Sequence, residues 1–469
     1  MTDTLMVGVS GVRGIVGKDL TPEVVTRWAR AFGTFAREGT RDEGRGTGPS
    51  VVVGRDARTS GPAFAAAVTA GLTSVGCDVI DIGVVPTPTV QLAVEHHHAG
   101  GGIAITASHN PIEWNALKFI GSDGIFLDGA EGKRVQILAV EGGGGRGRAG
   151  KVTTDEEAIA RHLDGVLELA ALDVERIRQR RFSVALDAVR GAGGPPMRDL
   201  LERLGCRVTG INLETDGRFP RAPEPIPENL GDLAALVRRS GADVGIAVDP
   251  DVDRLAIVDE TGTAIGEDYT LAFAIRAVLG GKREAGNGKR VVVCNLSTSL
   301  VVEDAAREFG ADVVRTPVGE VHVARAIVRL AAVIGGEGNG GVMYPALHAG
   351  RDAPVAAALL LALLARDGKR VSELVSAAPR YVIVKAKAER GTRNAEQGLE
   401  GVYAALRTRF PEASVDTQDG LRLAWHDCWL HVRPSNTEPI IRLIAEAPTG
   451  AAARDLVDEG RRLCGASAS

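Results

Sequence analysis

Three stretches of this chain share one pattern, a short β-branched run, then a small or polar loop, then a helical period: Val51 to Arg58, Val184 to Gly194, and Val291 to Ser299. The pattern predicts strand, turn and helix, the unit of a mostly parallel α/β layer. The three units are more than a hundred residues apart, as expected if each nucleates its own domain. The runs Gly102 to Ile105, Val244 to Val248 and Leu255 to Val258 predict further short buried strands. After about Pro379 the pattern changes. Strands expected at Tyr381 to Ala386, Trp429 to Val432 and Ile440 to Ala447, with two helical stretches, predict a small α+β domain. The run Ala353 to Ala365 is too short to cross a bilayer and predicts a buried helix.

Composition narrows the partners. With 44% hydrophobic and 25% charged residues the chain reads as globular, and 469 residues suggest about three domains. Aromatics are only 4% against 59 glycines, which favours tight turns and loops close to small ligands over stacking platforms for nucleic acid. A net charge of -5 leaves no basic footprint for DNA or RNA. The five cysteines are scattered without a CxxC pair, which fits a reducing cytoplasm and indicates neither a zinc site nor a disulfide framework. The segments Gly39 to Gly48 and Glu141 to Gly150 have almost nothing to bury and read as mobile surface loops. His96, His97 and His98 are adjacent and cannot converge from one helix on one ion, so they read as a helix C-terminus.

The chemistry concentrates in a few loops. Thr106-Ala107-Ser108-His109-Asn110-Pro111 places a serine hydroxyl beside an imidazole at a strand end. By itself this suggests either a hydrolytic nucleophile or a phosphate carrier. Asp249-Pro250-Asp251-Val252-Asp253-Arg254 packs three carboxylates between two apolar runs, where they repel unless a cation neutralises them. All-oxygen ligands suit Mg²⁺. An EF-hand is excluded, because position six of the loop is Arg254 where Gly is needed and the flanks are strands. Arg433-Pro434-Ser435-Asn436-Thr437-Glu438-Pro439 combines a guanidinium with small donors between two strands, a pattern that grips phosphate. In the run Gly335 to Gly341, Glu337 and Asn339 offer partners for vicinal hydroxyls. The run lacks the spacing of a P-loop or dinucleotide fingerprint. Arg13, and the Arg55 to Arg58 turn, add candidate positive charge.

Taken in this order, and with Asn115-Ala116-Leu117-Lys118, Asp216-Gly217-Arg218-Phe219-Pro220 and Pro225 to Leu230, these segments resemble the α-D-phosphohexomutase superfamily across the whole chain. The resemblance implies four domains around one cleft, three α/β with mixed, mostly parallel sheets and a small α+β C-terminal domain. Their expected spans are 1–152, 153–258, 259–376 and 377–469. It implies that Ser108 carries a phosphoryl group and, with Asp249, Asp251 and Asp253, binds Mg²⁺. Arg254 would steady the transferring group, while His109, Lys118 and Arg13 share proton transfer and charge stabilisation. Gly319, Glu320, Glu337 and Asn339 would meet the sugar, and Arg433, Ser435, Asn436 and Thr437 the other phosphate.

The implied reaction interconverts hexose 6-phosphate and hexose 1-phosphate through a hexose 1,6-bisphosphate, which also acts as activator. Gly338-Asn339-Gly340-Gly341 and Asn436 are similar to archaeal-type phosphoglucosamine and phosphomannose mutases. Glucosamine phosphate is therefore the expected substrate, with mannose or glucose phosphate as alternatives within the family. A Mg²⁺-dependent sugar phosphatase is the alternative of another class. A sugar phosphate is the expected partner of a cytoplasmic monomer or homodimer, with no nucleic acid and no membrane.

Overall fold

The computed structural model describes residues 5–39, 49–142, 149–281, 290–389, 393–435 and 440–465. The two loops expected near 39–48 and 141–150 lie largely outside the described residues. The chain forms three mixed sheets followed by an antiparallel one. The first sheet runs Met6–Gly8, Gly11–Ile15, Trp114–Ile120, Gly101–Ile105, Ser50–Arg55, Asp78–Val84, Val152–Thr154, so its edge strand straddles the boundary expected at 152. The last four of these strands are parallel and the rest antiparallel.

The second sheet has the order Leu255–Val258, Val244–Val248, Ser183–Asp187, Arg207–Ile211, with only Leu255–Val258 antiparallel. The third has the order Asp312–Thr316, Val291–Asn295, Ile334–Glu337, Gly341–Met343, with only Gly341–Met343 antiparallel. All three expected strand–turn–helix units are present. Their helices are Gly61–Ser74, Gly194–Arg203 and Leu300–Arg307.

The fourth sheet, Val382–Glu389, Ile440–Ala447, Trp429–Pro434, Leu421–Ala424, Ser414–Asp416, is antiparallel throughout. Its last two strands have no counterpart in the sequence reading, because each is too short, at 4 and 3 residues, to show a period.

The apolar run near 353 forms the helix Ala353–Asp367, capped by Asp352, whose Oδ1 accepts from the Val355 N–H at 2.9 Å. A helix apolar on all sides must be buried. This one fills a single core cluster shared by the second and third sheets, where each fully buried leucine contributes roughly 2 kcal/mol. The first and fourth sheets have separate cores. The second and third α/β units are therefore one packed body, which fixes the loops they carry relative to each other. The helix Thr87–His96 ends at the His triplet, with His97 Nε2 2.8 Å from Asp155 Oδ2. Among the described residues no helix is long and apolar enough to cross a membrane.

Candidate active site

Three loops occupy the C-terminal ends of parallel strands: the serine loop after Gly101–Ile105, the carboxylate loop after Val244–Val248, and the glycine-rich loop after Ile334–Glu337. Ligands of open α/β sheets bind at such ends. The three loops and one face of the fourth sheet enclose a cleft of about 990 Å³.

Ser108 is 7% exposed and holds a left-handed backbone, φ 48°, which costs a non-glycine residue about 1–3 kcal/mol and persists only when neighbours enforce it. Its Oγ donates to Asp249 Oδ2 at 2.8 Å. The carboxylate loop is strained as well, with the buried Val252 at φ 62°. That turn brings one oxygen each from Asp249, Asp251 and Asp253 within 4.8 Å of one another.

The oxygens of these carboxylates are divided by role. Asp251 Oδ2 accepts from Lys118 Nζ and from Thr87 Oγ1, each at 2.7 Å. Asp253 Oδ2 accepts from Arg351 Nη2 at 2.7 Å and Lys118 Nζ at 3.4 Å. Among the described residues Asp251 Oδ1 and Asp253 Oδ1 are buried without a hydrogen bond, Asp253 Oδ1 lying 3.7 Å from Arg254 Nε. Buried charged oxygens are rarely left unpaired. Two orphaned oxygens beside Ser108 and Asp249 fit a hard cation such as Mg²⁺.

Burial and the adjacent Asp253 and Asp251 hold Asp249 well above the usual carboxylate range. Burial acts in the same direction on Asp251, but Lys118 overrides it and holds Asp251 below that range. Burial would lower Lys118, yet Asp251 and Asp253 raise it, so Lys118 is a fixed cation at neutral pH. Arg254, then burial, then Arg13 depress His109 to about 2, which leaves a neutral imidazole whose Nδ1 has no hydrogen bond among the described residues. Arg13 donates to Asn110 Oδ1 at 2.8 Å, and Arg254 stands 3.4 Å from Glu224 Oε1.

On the opposite wall, Glu337 Oε1 accepts from Asn295 Nδ2 at 2.8 Å and from the Gly319 N–H at 3.2 Å. Its Oε2 accepts from Arg351 Nη1 at 3.1 Å and Asn339 Nδ2 at 3.4 Å. Glu320 Oε2 lies 2.9 Å from Arg351 Nη2. Arg433 faces the cleft and pairs with Asp419 at 2.9 Å. Ser435 closes the hairpin through its N–H to the Ile440 carbonyl but does not line the cleft. Asn436 and Thr437 lie outside the described residues.

The structure adds residues that the sequence reading missed. Arg351 ties Asp253, Glu320 and Glu337 together from a turn with no motif of its own, and Asp268, raised to about 7 by burial, lines the cleft beside the glycine-rich loop. Lys385 and Arg442 project into the cleft from the fourth sheet, where strand alternation alone could have suggested them. Arg58 corrects an expectation. It is fully buried behind the serine loop and brings no charge into the cleft.

Four profiles described as phosphoglucomutase/phosphomannomutase match in order: α/β/α domain I at 4–141, domain II at 160–262, domain III at 266–381 and the C-terminal domain at 382–463. The chain belongs to the phosphoglucomutase/phosphomannomutase family. Members similar along their whole length include a phosphoglucomutase/phosphomannomutase of Thermococcus kodakarensis, 38% identical over 97% of both chains. A probable phosphoglucosamine mutase of Methanopyrus kandleri is 40% identical over 96% of both. Among solved structures, a family protein of Burkholderia thailandensis superposes with a TM-score of 0.84 at 28% identity, covering 98% of each chain.

Proposed function

We propose that the protein is a phosphohexomutase that interconverts hexose 6-phosphate and hexose 1-phosphate by way of a phosphorylated Ser108. One observation carries the reading: the Ser108 hydroxyl, 2.8 Å from Asp249, opens into the same cleft as the sugar-facing Glu337 and a separate basic wall at Arg433. A hydrolase has less use for a second phosphate grip. Sugar hydroxyl oxygen attacks the phosphorus on Ser108, forming one P–O bond as the bond to Ser108 Oγ breaks. The proton lost by the sugar hydroxyl is the one Ser108 Oγ regains as it leaves, so the exchange is proton-neutral. His109 Nδ1 relays it, the negative phosphoryl group offsetting the Arg254 and Arg13 charges that otherwise keep this imidazole neutral. Lys118, Arg254 and Arg13 hold the phosphoryl charge in place. The hexose 1,6-bisphosphate turns over in the cleft and returns its other phosphoryl to Ser108, which reverses each bond change.

Ser108, Asp249, Asp251 and Asp253 would hold Mg²⁺, which when bound supplies charge neutralisation at the phosphoryl oxygens. Hexose 1,6-bisphosphate would also prime unphosphorylated Ser108. Glucosamine phosphate is the preferred sugar in this reading, supported by the naming of the Methanopyrus relative and by the Gly338 to Gly341 sequence. The Thermococcus relative's name favours glucose and mannose phosphates as the second choice. A small metabolite as partner fits a cytoplasmic setting. The test compares turnover of glucosamine, mannose and glucose 1-phosphates with matching bisphosphate primer and Mg²⁺, in wild type and Ser108→Ala. The expected result is isomeric sugar phosphate without free phosphate, lost in Ser108→Ala. Stoichiometric phosphate release without isomer would establish the phosphatase instead.

A further inference from the structure

Behind the serine loop lies a second set of buried charges that takes no part in the cleft. Arg58 and Asp56 both have side chains with no exposure, and all five N–H donors of the guanidinium are used. Nε donates to Asp56 Oδ2 at 3.0 Å. Nη2 donates to the carbonyls of Ser108 and Asn110, each at 2.6 Å. Nη1 donates to the carbonyls of Pro111 at 2.6 Å and Trp114 at 2.9 Å. The other side of the Ser108 peptide returns to the same pair. Its N–H donates to Thr106 Oγ1 at 2.9 Å, and that hydroxyl donates to Asp56 Oδ2 at 2.6 Å. Both backbone groups of Ser108 are thus closed into one ring around the Asp56–Arg58 pair.

A buried guanidinium is expensive to desolvate, and nothing in its bonding recognises a ligand. What it provides is geometry. The left-handed φ of Ser108 is the kind of strained backbone that relaxes unless its neighbours over-determine it. The cover over this clamp comes from the second domain. The ring of Phe219 lies 5.0 Å from the guanidinium carbon, and Gly217, at φ 69°, fits where an added Cβ would be 2.2 Å from the Ala57 carbonyl oxygen. Asp216 of the same segment is held by Arg190.

We propose that Arg58 is the positioning residue for Ser108, fixing the backbone that aims its Oγ at the carboxylate loop, and that Phe219 completes the clamp from the second domain. The inference rests on Ser108 as the phosphoryl carrier. A misaligned serine binds sugar phosphate as before but exchanges the phosphoryl group slowly, since misplacement by about 1 Å costs on the order of 100-fold.

Arg58→Lys keeps the charge and at most three of the five donors. Phe219→Leu removes the aromatic face with little change in packing volume, and Thr106→Val removes the tether on the Ser108 N–H. Each is assayed for kcat, for KM toward hexose phosphate, and for the rate of Ser108 phosphorylation by hexose 1,6-bisphosphate, read by intact-protein mass spectrometry. For Arg58→Lys the expected result is a fall of about 100-fold in kcat and in phosphorylation rate, with KM within about 3-fold of wild type. Phe219→Leu and Thr106→Val should show the same split at roughly 10-fold, and they carry the test if Arg58→Lys does not fold. Folded variants with wild-type kcat, or losses confined to KM, would overturn the proposal. An active Ser108→Ala would instead overturn the mutase reading, so the two failures are distinguishable.

Discussion

His431 should make the docking of the fourth domain sensitive to acid, and the size of the effect follows from its surroundings. The side chain is fully buried on the strand Trp429–Pro434. Its Nε2 lies 2.7 Å from the Asp419 carbonyl oxygen, which can only accept, so Nε2 carries the proton. Nδ1, 2.9 Å from the Ser297 hydroxyl of the third domain, is left to accept. The imidazole is therefore neutral. Burial, helped by Arg433 and Arg422 and opposed by Asp419, depresses its pKa to about 4. The unfolded chain binds this proton near pH 6.5 and the folded chain only near 4, so between those values the unfolded state holds more protons and stability rises with pH. The contribution is complete above about pH 6.5 and is lost as pH falls toward 4. Between about pH 7.5 and pH 5 the loss is about 2 kcal/mol. The variant His431→Gln keeps a donor and an acceptor but cannot titrate. Urea unfolding of both proteins across that interval should show the variant losing about 2 kcal/mol less than wild type. Parallel curves would refute the reasoning.

Two further outcomes follow from the cleft. In EDTA, Arg351→Met should lower unfolding stability by about 3–5 kcal/mol, because Asp253, Glu320 and Glu337 lose a shared buried partner. Mg²⁺ should then return more stability to the variant than to wild type, since it meets a carboxylate group with one counter-cation fewer; equal Mg²⁺ responses in urea unfolding would count against this. Gly340→Ala, at φ 85° with an added Cβ 2.4 Å from the Leu255 carbonyl oxygen, should displace the glycine-rich loop. It should cost about 2–3 kcal/mol and raise KM for hexose phosphate about 10-fold, which steady-state kinetics and thermal unfolding will check.

The parts of this protein that could be read from sequence are the parts written locally. Asp249, Asp251 and Asp253 fall at alternate positions of one turn between two apolar runs, so a reader can infer their convergence without knowing the fold. The strand–turn–helix units were legible for the same reason. Arg351 was not, because its partner Asp253 is 98 residues away and the turn that carries it has no pattern. Arg58 was misread as a charge for phosphate because an arginine in a loop looks exposed. Its donors are spent on the carbonyls of a loop about fifty residues on, a pairing with no local signal in the chain. Lys118 and His109 illustrate a third limit. Their types suggest acid–base chemistry alike, but Asp251 and Asp253 fix one as a cation while Arg254 and burial keep the other neutral.

The division of oxygens in the carboxylate loop explains how such a site survives folding before it is loaded. If Asp249, Asp251 and Asp253 all relied on a metal ion, the empty loop would open under its own repulsion. Instead Lys118, Thr87 and Arg351 hold the Oδ2 atoms of Asp251 and Asp253, leaving their Oδ1 atoms without a hydrogen bond among the described residues. The protein's cations fix the direction of the carboxylates without taking the ligand positions. In the proposed function Asp249, Asp251 and Asp253 would hold Mg²⁺ here, and its charge would nearly offset that of a phosphoryl group, about -1.5 to -2. Arg13 and Arg254 then serve the transferring group, and Arg433 on the far wall of the cleft is left for the other phosphate of the sugar. A metal without phosphoserine, or phosphoserine without metal, would leave the buried centre unbalanced by about two charges, so binding of each should strengthen the other.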